Sequence, residues 1–251
     1  MPRASRHYLP GHVWHITHRC HKQEFLLKFS KDRKRWLYWL FQAKKRYGLC
    51  VLNYIVTSNH IHLLVLDTQK NCIANSMQLI AGRTAQEYNA RKNRKGAFWE
   101  DRYFATAIST DQYLSECISY IDLNMLRAGV IKHPSEWVES GYNEIQKPGK
   151  RYKIINREIL MSLLNISNET SLKQQHKLWI DEKIKANNYD YNEIWSSSLA
   201  IGNQDFIDKV YSNLGISTYT RKKRHNGDQH YIKEPTKPYS IHFDMEKLAL
   251  S

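Results

Sequence analysis

The chain lacks the features that mark several common protein classes. No apolar run is long enough to span a bilayer, and the start of the sequence has no apolar signal-peptide core. The four cysteines (Cys20, Cys50, Cys72 and Cys117) are scattered, without a C-x-x-C pair. They predict reduced thiols in a cytoplasmic protein, not a disulfide framework or a zinc knuckle. Gly-rich phosphate loops and internal repeats are also missing, which argues against the common nucleotide-binding and repeat folds.

Acidic residues are few relative to basic ones. The 251 residues include 38 Lys and Arg but only 24 Asp and Glu, a formal net charge of +14. Such an excess favours a polyanionic partner, with nucleic acid ahead of a membrane surface. The 16 Tyr, 7 Trp and 7 Phe suit base stacking beside phosphate-binding cations. For any one ring, however, packing in the core is the more common role.

Apolar periodicity predicts the order β-α-β-β-α-β followed by a helix. This is the order of the ferredoxin-like α+β fold, an antiparallel sheet with helices on one face, in which the third strand is central. Ser30 is predicted to cap the first helix and Gly48 to end it, while Ser109 and Gln112 form a capping box for the third. The predicted strands are 13–18, 49–56, 60–66 and 99–108, and the predicted helices are 30–47, 73–88 and 109–129.

The sequence becomes more polar after about residue 140 and has the spacing of helices over 155–164, 172–184 and 206–214. We therefore predict a domain over 1–140 and a helical appendage with a basic tail over 141–251. The run 221–225 is strongly basic. It can contact phosphates, or it can be a solvated tail.

His60 and His62 flank one apolar residue at the start of an aliphatic stretch. In a strand the two imidazoles share a face, while Ile61 points to the other. Paired imidazoles on one face can bind a metal ion. The alternative is that both are ordinary half-buried strand histidines, which is the usual meaning of an isolated H-x-H.

The third predicted helix offers a nucleophile and a further ligand. Tyr120 and Asn124 are four residues apart and share one helical face. Tyrosine has an ordinary pKa of ~10, so it needs a nearby cation or base to act at neutral pH. Tyr113, seven residues before Tyr120, should lie about 10 Å away along the axis. A buried structural tyrosine and a turn-capping asparagine are the alternatives.

Several segments resemble the HUH endonucleases, and among them the REP-associated tyrosine transposases. The similarity extends over roughly residues 2–145. Met125 replaces a proline usual in that family, and Cys20 replaces a glycine; neither change removes a proposed functional side chain. The similar segments are Pro2-Arg3, 10–19 (PGHVWHITHR), 60–62 (HIH), 98–103 (FWEDRY) and 120–129 (YIDLNMLRAG).

The resemblance implies that His60, His62 and Asn124 bind Mg²⁺ or Mn²⁺ and that Tyr120 attacks the scissile phosphate. The implied substrate is single-stranded DNA beside an imperfect hairpin, cleaved through a 5′-phosphotyrosine link without ATP. The protein would be a monomer or a homodimer. The residues predicted to contact DNA are Arg3, Arg6, Arg19, Arg91, Lys92, Arg94, Lys95, Trp99, Arg102, Arg221, Lys222, Lys223 and Arg224.

Three other functions compete with this one. A non-catalytic DNA-binding relative would have the same basic residues, but it would not need the set His60, His62, Tyr120 and Asn124. A replication-initiation or relaxase nuclease often has a second tyrosine and a larger partner domain. An RNA-binding ferredoxin-like module would need exposed aromatics on its central strands, where this sequence has histidines and aliphatics.

Overall fold

The structure is a computed structural model that describes residues 11–149, 152–214, 223–226 and 229–233. The seven strands within these ranges are β1 Val13–Arg19, β2 Cys50–Val56, β3 His60–Leu66, β4 Phe104–Ile108, β5 Ser198–Gly202, β6 Lys223–Asn226 and β7 Gln229–Lys233. The α-helices are α1 Ser30–Tyr47, α2 Cys72–Arg91, α3 Gln112–Asp122, α4 Asn124–Arg127, α5 Gly141–Gln146, α6 Arg157–Leu163, α7 Glu169–Lys185, α8 Ile194–Ser197 and α9 Gln204–Leu214.

The first four strands form the predicted antiparallel sheet. Their spatial order is β2-β3-β1-β4, so β3 and β1 are interior, and β1 pairs antiparallel with both β3 and β4. This arrangement confirms the ferredoxin-like fold class. The interior position of β3 means that both of its edges are paired, and six of its seven residues are buried.

Helices cover the two faces of this sheet differently. On one face, α1 and α2 pack together over the aliphatic side chains of β1 and β3. Helix α3 lies on the other face. Asn53 of β2 holds it there by donating hydrogen bonds to the Ile118 carbonyl (3.4 Å) and to Asp122 (3.1 Å). The histidines of β3 point to the face of α3.

Several predicted boundaries were wrong. The fourth strand begins at Phe104, five residues later than expected, and Trp99 makes only an isolated bridge to Cys20. The third helix begins at Gln112, where the Asp111 side chain caps the Tyr113 amide; the predicted capping box at Ser109 does not form. Ser30 hydrogen-bonds to Glu139 and does not cap α1.

The segment beyond residue 140 contains strands as well as the predicted helices. Strand β5 pairs in parallel with β4, and β7 and β6 continue the sheet beyond it. Ile145, Trp195 and Ile201 belong to the same hydrophobic cluster as Ile16 and Ile61. Residues of the predicted appendage therefore share the core of the first four strands.

All four cysteines are buried free thiols, in agreement with their scattered positions. Over the described ranges, no helix carries an apolar stretch that could cross a lipid bilayer.

Candidate active site

Strands β1 and β3 bring three histidines to one face of the sheet. Thr17 lies opposite His62 and Arg19 lies opposite His60, so the alternate residue His15 shares the same face. The His15 and His62 rings stack at 5.0 Å between centroids, and His60 meets His62 edge-on at 5.0 Å. All three are nearly inaccessible to solvent.

Neighbouring side chains orient the His60 ring. The His60 Nδ1 lies 2.7 Å from the Asn59 Oδ1 and 3.0 Å from the Thr57 hydroxyl. Because an amide oxygen only accepts, Nδ1 carries the proton and Nε2 has the lone pair. The Asn59 amide is itself oriented by donation from its Nδ2 to the Gln23 carbonyl at 3.3 Å.

His62 makes one hydrogen bond with each ring nitrogen. Its Nδ1 lies 2.9 Å from the His15 Nε2, and its Nε2 lies 3.0 Å from the Asn124 Nδ2. The Asn124 amide reaches this position because α4 begins directly after α3, against the site face. The structure therefore joins β3 and the end of the tyrosine helix at one point.

Tyr120 lies at the same point. Its ring meets His62 edge-on at 5.7 Å and His15 edge-on at 6.1 Å between centroids. The Trp195 ring stacks on it at 5.7 Å, and the Arg127 guanidinium lies 4.3 Å from its centroid. Only 6% of Tyr120 is exposed.

Burial sets the protonation of these groups. Desolvation lowers the pKa of His60 to about 3 and that of His15 to about 4, and it lowers the pKa of His62 well below its ordinary value. The imidazoles are thus neutral at pH 7, the form that binds metal. Desolvation raises the pKa of the Tyr120 phenol, whereas the positive charge of Arg127 lowers it.

Comparison with known families decides which class of protein has this arrangement. Residues 10–124 match the family model described as "Transposase IS200 like". This part of the chain is similar to IS200-like transposases. Its matched region begins just before β1 and ends at Asn124, so it includes His60, His62 and Tyr120.

Two solved structures are similar to the protein. One is a REP-associated tyrosine transposase bound to a REP hairpin, with 17% identity, a TM-score of 0.49, and coverage of 61% of this chain and 90% of the other. The second is a protein of Deinococcus radiodurans R1 described as a transposase, with 17% identity, a TM-score of 0.34, and coverage of 47% and 95%. No curated protein is significantly similar to the chain.

The matched region offers a donor set that fits a divalent cation. The described residues contain no group of three or more His, Cys, Asp and Glu side chains placed for a metal. They do place two imidazoles and one amide together, and the Asn124 Oδ1 is buried without a hydrogen-bond partner within the described ranges. A buried amide oxygen that accepts nothing is a suitable ligand for Mg²⁺ or Mn²⁺, whereas imidazole suits Mn²⁺ better than Mg²⁺.

The predicted DNA contacts near the candidate site differ in whether their side chains already contact other residues of the protein. Arg19 is 5% exposed and lies 3.7 Å from Glu100. Trp99 stacks on His18 at 4.0 Å and donates to the Ala81 carbonyl, on the face covered by α2. Arg102 is exposed. A role of these three in DNA binding stays a prediction.

The basic residues at the end of α2 and in the loop after it also include both ion-paired and exposed side chains. Arg91 pairs with Asp32, and Arg94 lies 3.4 Å from Glu24. Lys92 and Lys95 are exposed, with the Lys92 ammonium 5.5 Å from the Phe29 ring centroid. Of the remaining predicted contacts, Lys223 and Arg224 lie in β6, and Arg3, Arg6, Arg221 and Lys222 lie outside the described residues.

Sequence reasoning did not single out His15, Arg127 or Trp195 as site residues. His15 and Arg127 fall in the segments that resemble the family, and the strand parity of His15 with Thr17 and Arg19 could have placed it beside His62. No local pattern marks Trp195, because it reaches Tyr120 from a point 75 residues later in the chain through the pairing of β5 with β4.

Proposed function

We propose that the protein is a metal-dependent single-stranded DNA endonuclease and strand transferase of the REP-associated tyrosine transposase type. Its nucleophile is Tyr120, and its metal ligands are His60, His62 and Asn124. The observation that carries the proposal is the meeting of the Tyr120 ring and the Asn124 amide at His62, at 5.7 Å and 3.0 Å. Tyr120 and Asn124 come from the third helix and the turn after it, and His62 comes from a strand far away in sequence.

Tyr120 supplies the covalent chemistry. Its phenolic oxygen attacks phosphorus, a phosphotyrosine bond forms, and the bond from phosphorus to the 3′ oxygen breaks. The departing 3′ oxygen gains a proton in place of the one that the phenol gives up, so the departing strand ends in a 3′-hydroxyl. Because the phosphotyrosine keeps a phosphodiester, a 3′-hydroxyl of another strand can reverse the step and join the DNA without ATP.

Arg127 and the neutral imidazoles support that chemistry. The guanidinium of Arg127 lies over the Tyr120 ring and favours the phenolate, which burial alone disfavours. His60 and His62 can hold the divalent cation through their Nε2 atoms, with Asn124 contributing its amide oxygen. When bound, the ion polarises the scissile phosphate and neutralises the charge that develops on the leaving oxygen.

The preference for hairpin-associated DNA rests on the resemblance of the sequence motifs and on the net charge of +14. Lys92 and Lys95 of the loop after α2 and the basic run 221–224 are the proposed phosphate contacts. The charge alone would equally suit a non-catalytic DNA-binding protein. The buried set around His62 favours catalysis, because simple DNA binding does not require it.

The test is covalent capture of labelled single-stranded DNA carrying a hairpin, in Mn²⁺, on a denaturing gel. Wild type should form a protein–DNA adduct that EDTA abolishes. Tyr120→Phe removes one oxygen and little packing, so it should fold and bind the DNA but form no adduct, a loss of about 10³-fold or more.

Tyr113→Phe is the matched control, because Tyr113 is also buried and lies in the same helix. This variant should form the adduct at close to the wild-type rate. An adduct that persists in Tyr120→Phe, or a peptide mass that places the DNA on another tyrosine, would overturn the assignment of the nucleophile. Absence of any adduct in wild type, with hairpin binding intact, would favour the non-catalytic alternative.

A further inference from the structure

We propose that His15 is a positioning residue that fixes His62 in its Nδ1-protonated tautomer, and that the backbone carbonyl of Trp195 fixes His15 in turn. The inference deepens the proposed function, because it rests on His62 being a metal ligand. It assigns a role in the active site to strand β1 and to the segment around Trp195, which lies outside the matched transposase region.

The donors and acceptors in the two hydrogen bonds from His62 to His15 and from His15 to Trp195 follow from the last acceptor, the Trp195 carbonyl. The His15 Nδ1 lies 2.8 Å from the Trp195 carbonyl oxygen, and a carbonyl cannot donate. The His15 proton is therefore on Nδ1, and the neutral ring presents a lone pair at Nε2. That Nε2 lies 2.9 Å from the His62 Nδ1, which must then be the donor. His62 is left with its lone pair on Nε2.

The tautomer matters because only a ring nitrogen without a proton can bind a metal ion. Free imidazole exchanges its proton between the two nitrogens, so an unsupported His62 would spend part of its time with Nε2 blocked. His60 receives equivalent support from the Asn59 amide oxygen at 2.7 Å. Both strand histidines thus present Nε2. His62 is held in this form by the second imidazole at its Nδ1 and, in the absence of metal, by donation from the Asn124 Nδ2 to its Nε2.

The Trp195 carbonyl is held firmly enough to act as the fixed end. The segment continues into β5, whose Ala200 and Ile201 pair with Ala107 and Ile108 of β4. The Thr106 hydroxyl, on the same face as His15, donates to the Ser198 carbonyl at 2.6 Å. Trp195 itself is 4% exposed and stacks on Tyr120. One short segment thus contacts both the nucleophile and the support of the metal ligand.

His15 is not placed to be a ligand itself. Its one lone pair, on Nε2, is directed at the His62 Nδ1 and not at the side of the His62 ring that meets Asn124. Simple packing is the other reading of a buried strand histidine, and it predicts that any ring of similar size would serve equally well. The two readings differ in what Gln and Phe should do at this position.

The first measurement needs no substitution. Long-range ¹H–¹⁵N NMR spectra of ¹⁵N-histidine-labelled protein in EDTA distinguish the two imidazole tautomers. We expect His62, assigned by the loss of its signals in His62→Gln, to be protonated on Nδ1. Protonation of His62 on Nε2 in the metal-free wild type would overturn the inference without any bearing on Tyr120.

The second measurement compares Mn²⁺ affinity by titration calorimetry in three variants. In His15→Gln the side-chain oxygen can accept from the His62 Nδ1 while the amide donates to Trp195, so affinity should stay within about threefold of wild type. His15→Phe keeps a ring but no hydrogen bond, and it should bind Mn²⁺ about 10- to 100-fold more weakly. His18→Phe, which changes a buried imidazole on the opposite face of β1, should leave the affinity unchanged.

The outcomes separate this inference from the proposed function. Equal Mn²⁺ affinity in His15→Phe and wild type would show that His15 only packs, while adduct formation by wild type would leave the proposed function standing. If His15→Phe does not fold, two results would each contradict the positioning role: Mn²⁺ affinity about 10-fold or more weaker in His15→Gln than in wild type, or an Nε2-protonated His62 in wild type. If wild type itself bound no Mn²⁺, the proposed function would fail, and the NMR result would still decide how His15 and His62 interact.

Discussion

Strands β1 and β3 bury both of their faces, but the two faces have opposite chemistry. Toward α1 and α2 they present aliphatic side chains such as Ile16, Ile61 and Leu63, all without solvent exposure. Toward α3 they present His15, His60 and His62, which are equally buried. Burying polar groups costs free energy unless they are hydrogen-bonded. The three imidazoles on the α3 face are held by hydrogen bonds to one another and to neighbouring polar groups, whereas the other face, His18 apart, is held by packing.

The largest expected contrast comes from truncating adjacent residues of β3 that point to opposite faces. His62→Ala should lower adduct formation by about 10²-fold or more, because a proposed metal ligand is removed, and should destabilise the fold by only about 1–3 kcal/mol. Leu63→Ala should destabilise it by about 2–5 kcal/mol and leave the adduct rate of the folded protein nearly unchanged. Urea unfolding and the denaturing gel measure the two effects.

This contrast would break down if both variants lost stability and activity in the same proportion. The comparison must be made at a temperature where Leu63→Ala is still fully folded by circular dichroism. A His62→Ala protein that forms adduct at the wild-type rate would remove His62 from the proposed metal site.

The next prediction concerns the free energy of unfolding, which should depend on pH through the histidine face but not through the aliphatic face. In EDTA, the pKa of His60 is about 3 in the folded protein against an ordinary 6.5, so the unfolded chain binds a proton more readily between these values. The stabilising effect of the neutral ring is complete above about pH 6.5 and is lost as pH falls toward 3. Between pH 7 and pH 5 this amounts to roughly 2 kcal/mol for one such group.

Urea unfolding of wild type, His60→Gln and Leu63→Ala at both pH values provides the measurement. His60→Gln should lose less stability on acidification than wild type, while Leu63→Ala should lose the same amount as wild type from a lower starting point. Parallel pH profiles for wild type and His60→Gln would contradict the lowered pKa of His60.

The smallest effect concerns the helices that cover the aliphatic face. Lys92 and Lys95 follow α2 and are exposed, whereas Arg91, the last residue of α2, and Arg94 of the loop are paired with carboxylates. Replacing both lysines with alanine should weaken hairpin binding a few-fold and reduce the salt slope of log affinity by ~0.7 to 0.9 for each phosphate that the variant no longer neutralises. Fluorescence anisotropy at several salt concentrations would measure this.

The matched control replaces the exposed Lys185 of α7 and the exposed Lys209 of α9. An equal reduction of affinity in that variant would mean that the effect reflects overall charge rather than a phosphate bound by the loop after α2.

Much of the fold could be predicted because it depends on local patterns. The alternation in 13–18, the aliphatic run after His62 and the Gly48 stop, with φ of +68°, each correspond to an observed element. The fourth strand was predicted to begin at Trp99 because aromatic residues favour strands. The Trp99 ring instead packs on His18 and α2, and the backbone bends through 100–102 before the strand begins. Asp111 displaced the predicted capping box because its carboxylate reaches the Tyr113 amide.

The site could be predicted only where its residues lie in short motifs. His60, His62, Tyr120 and Asn124 have spacings that fit one strand face and one helix face, and the structure brings them together. Strand β5 was missed because Ser198–Gly202 is short and pairs with a strand about 90 residues earlier in the chain. The contacts of Trp195 depend on that distant pairing, so no local property of the sequence indicates them.

The stacking of Trp195 on Tyr120 has a consequence for the fate of the reaction intermediate. A phosphotyrosine formed under this indole, beside imidazoles that are nearly inaccessible to solvent, would be shielded from bulk water. Hydrolysis would then compete poorly with attack by a 3′-hydroxyl held on the same DNA-binding surface. The enclosure of the tyrosine would thus favour rejoining of DNA ends over their permanent separation.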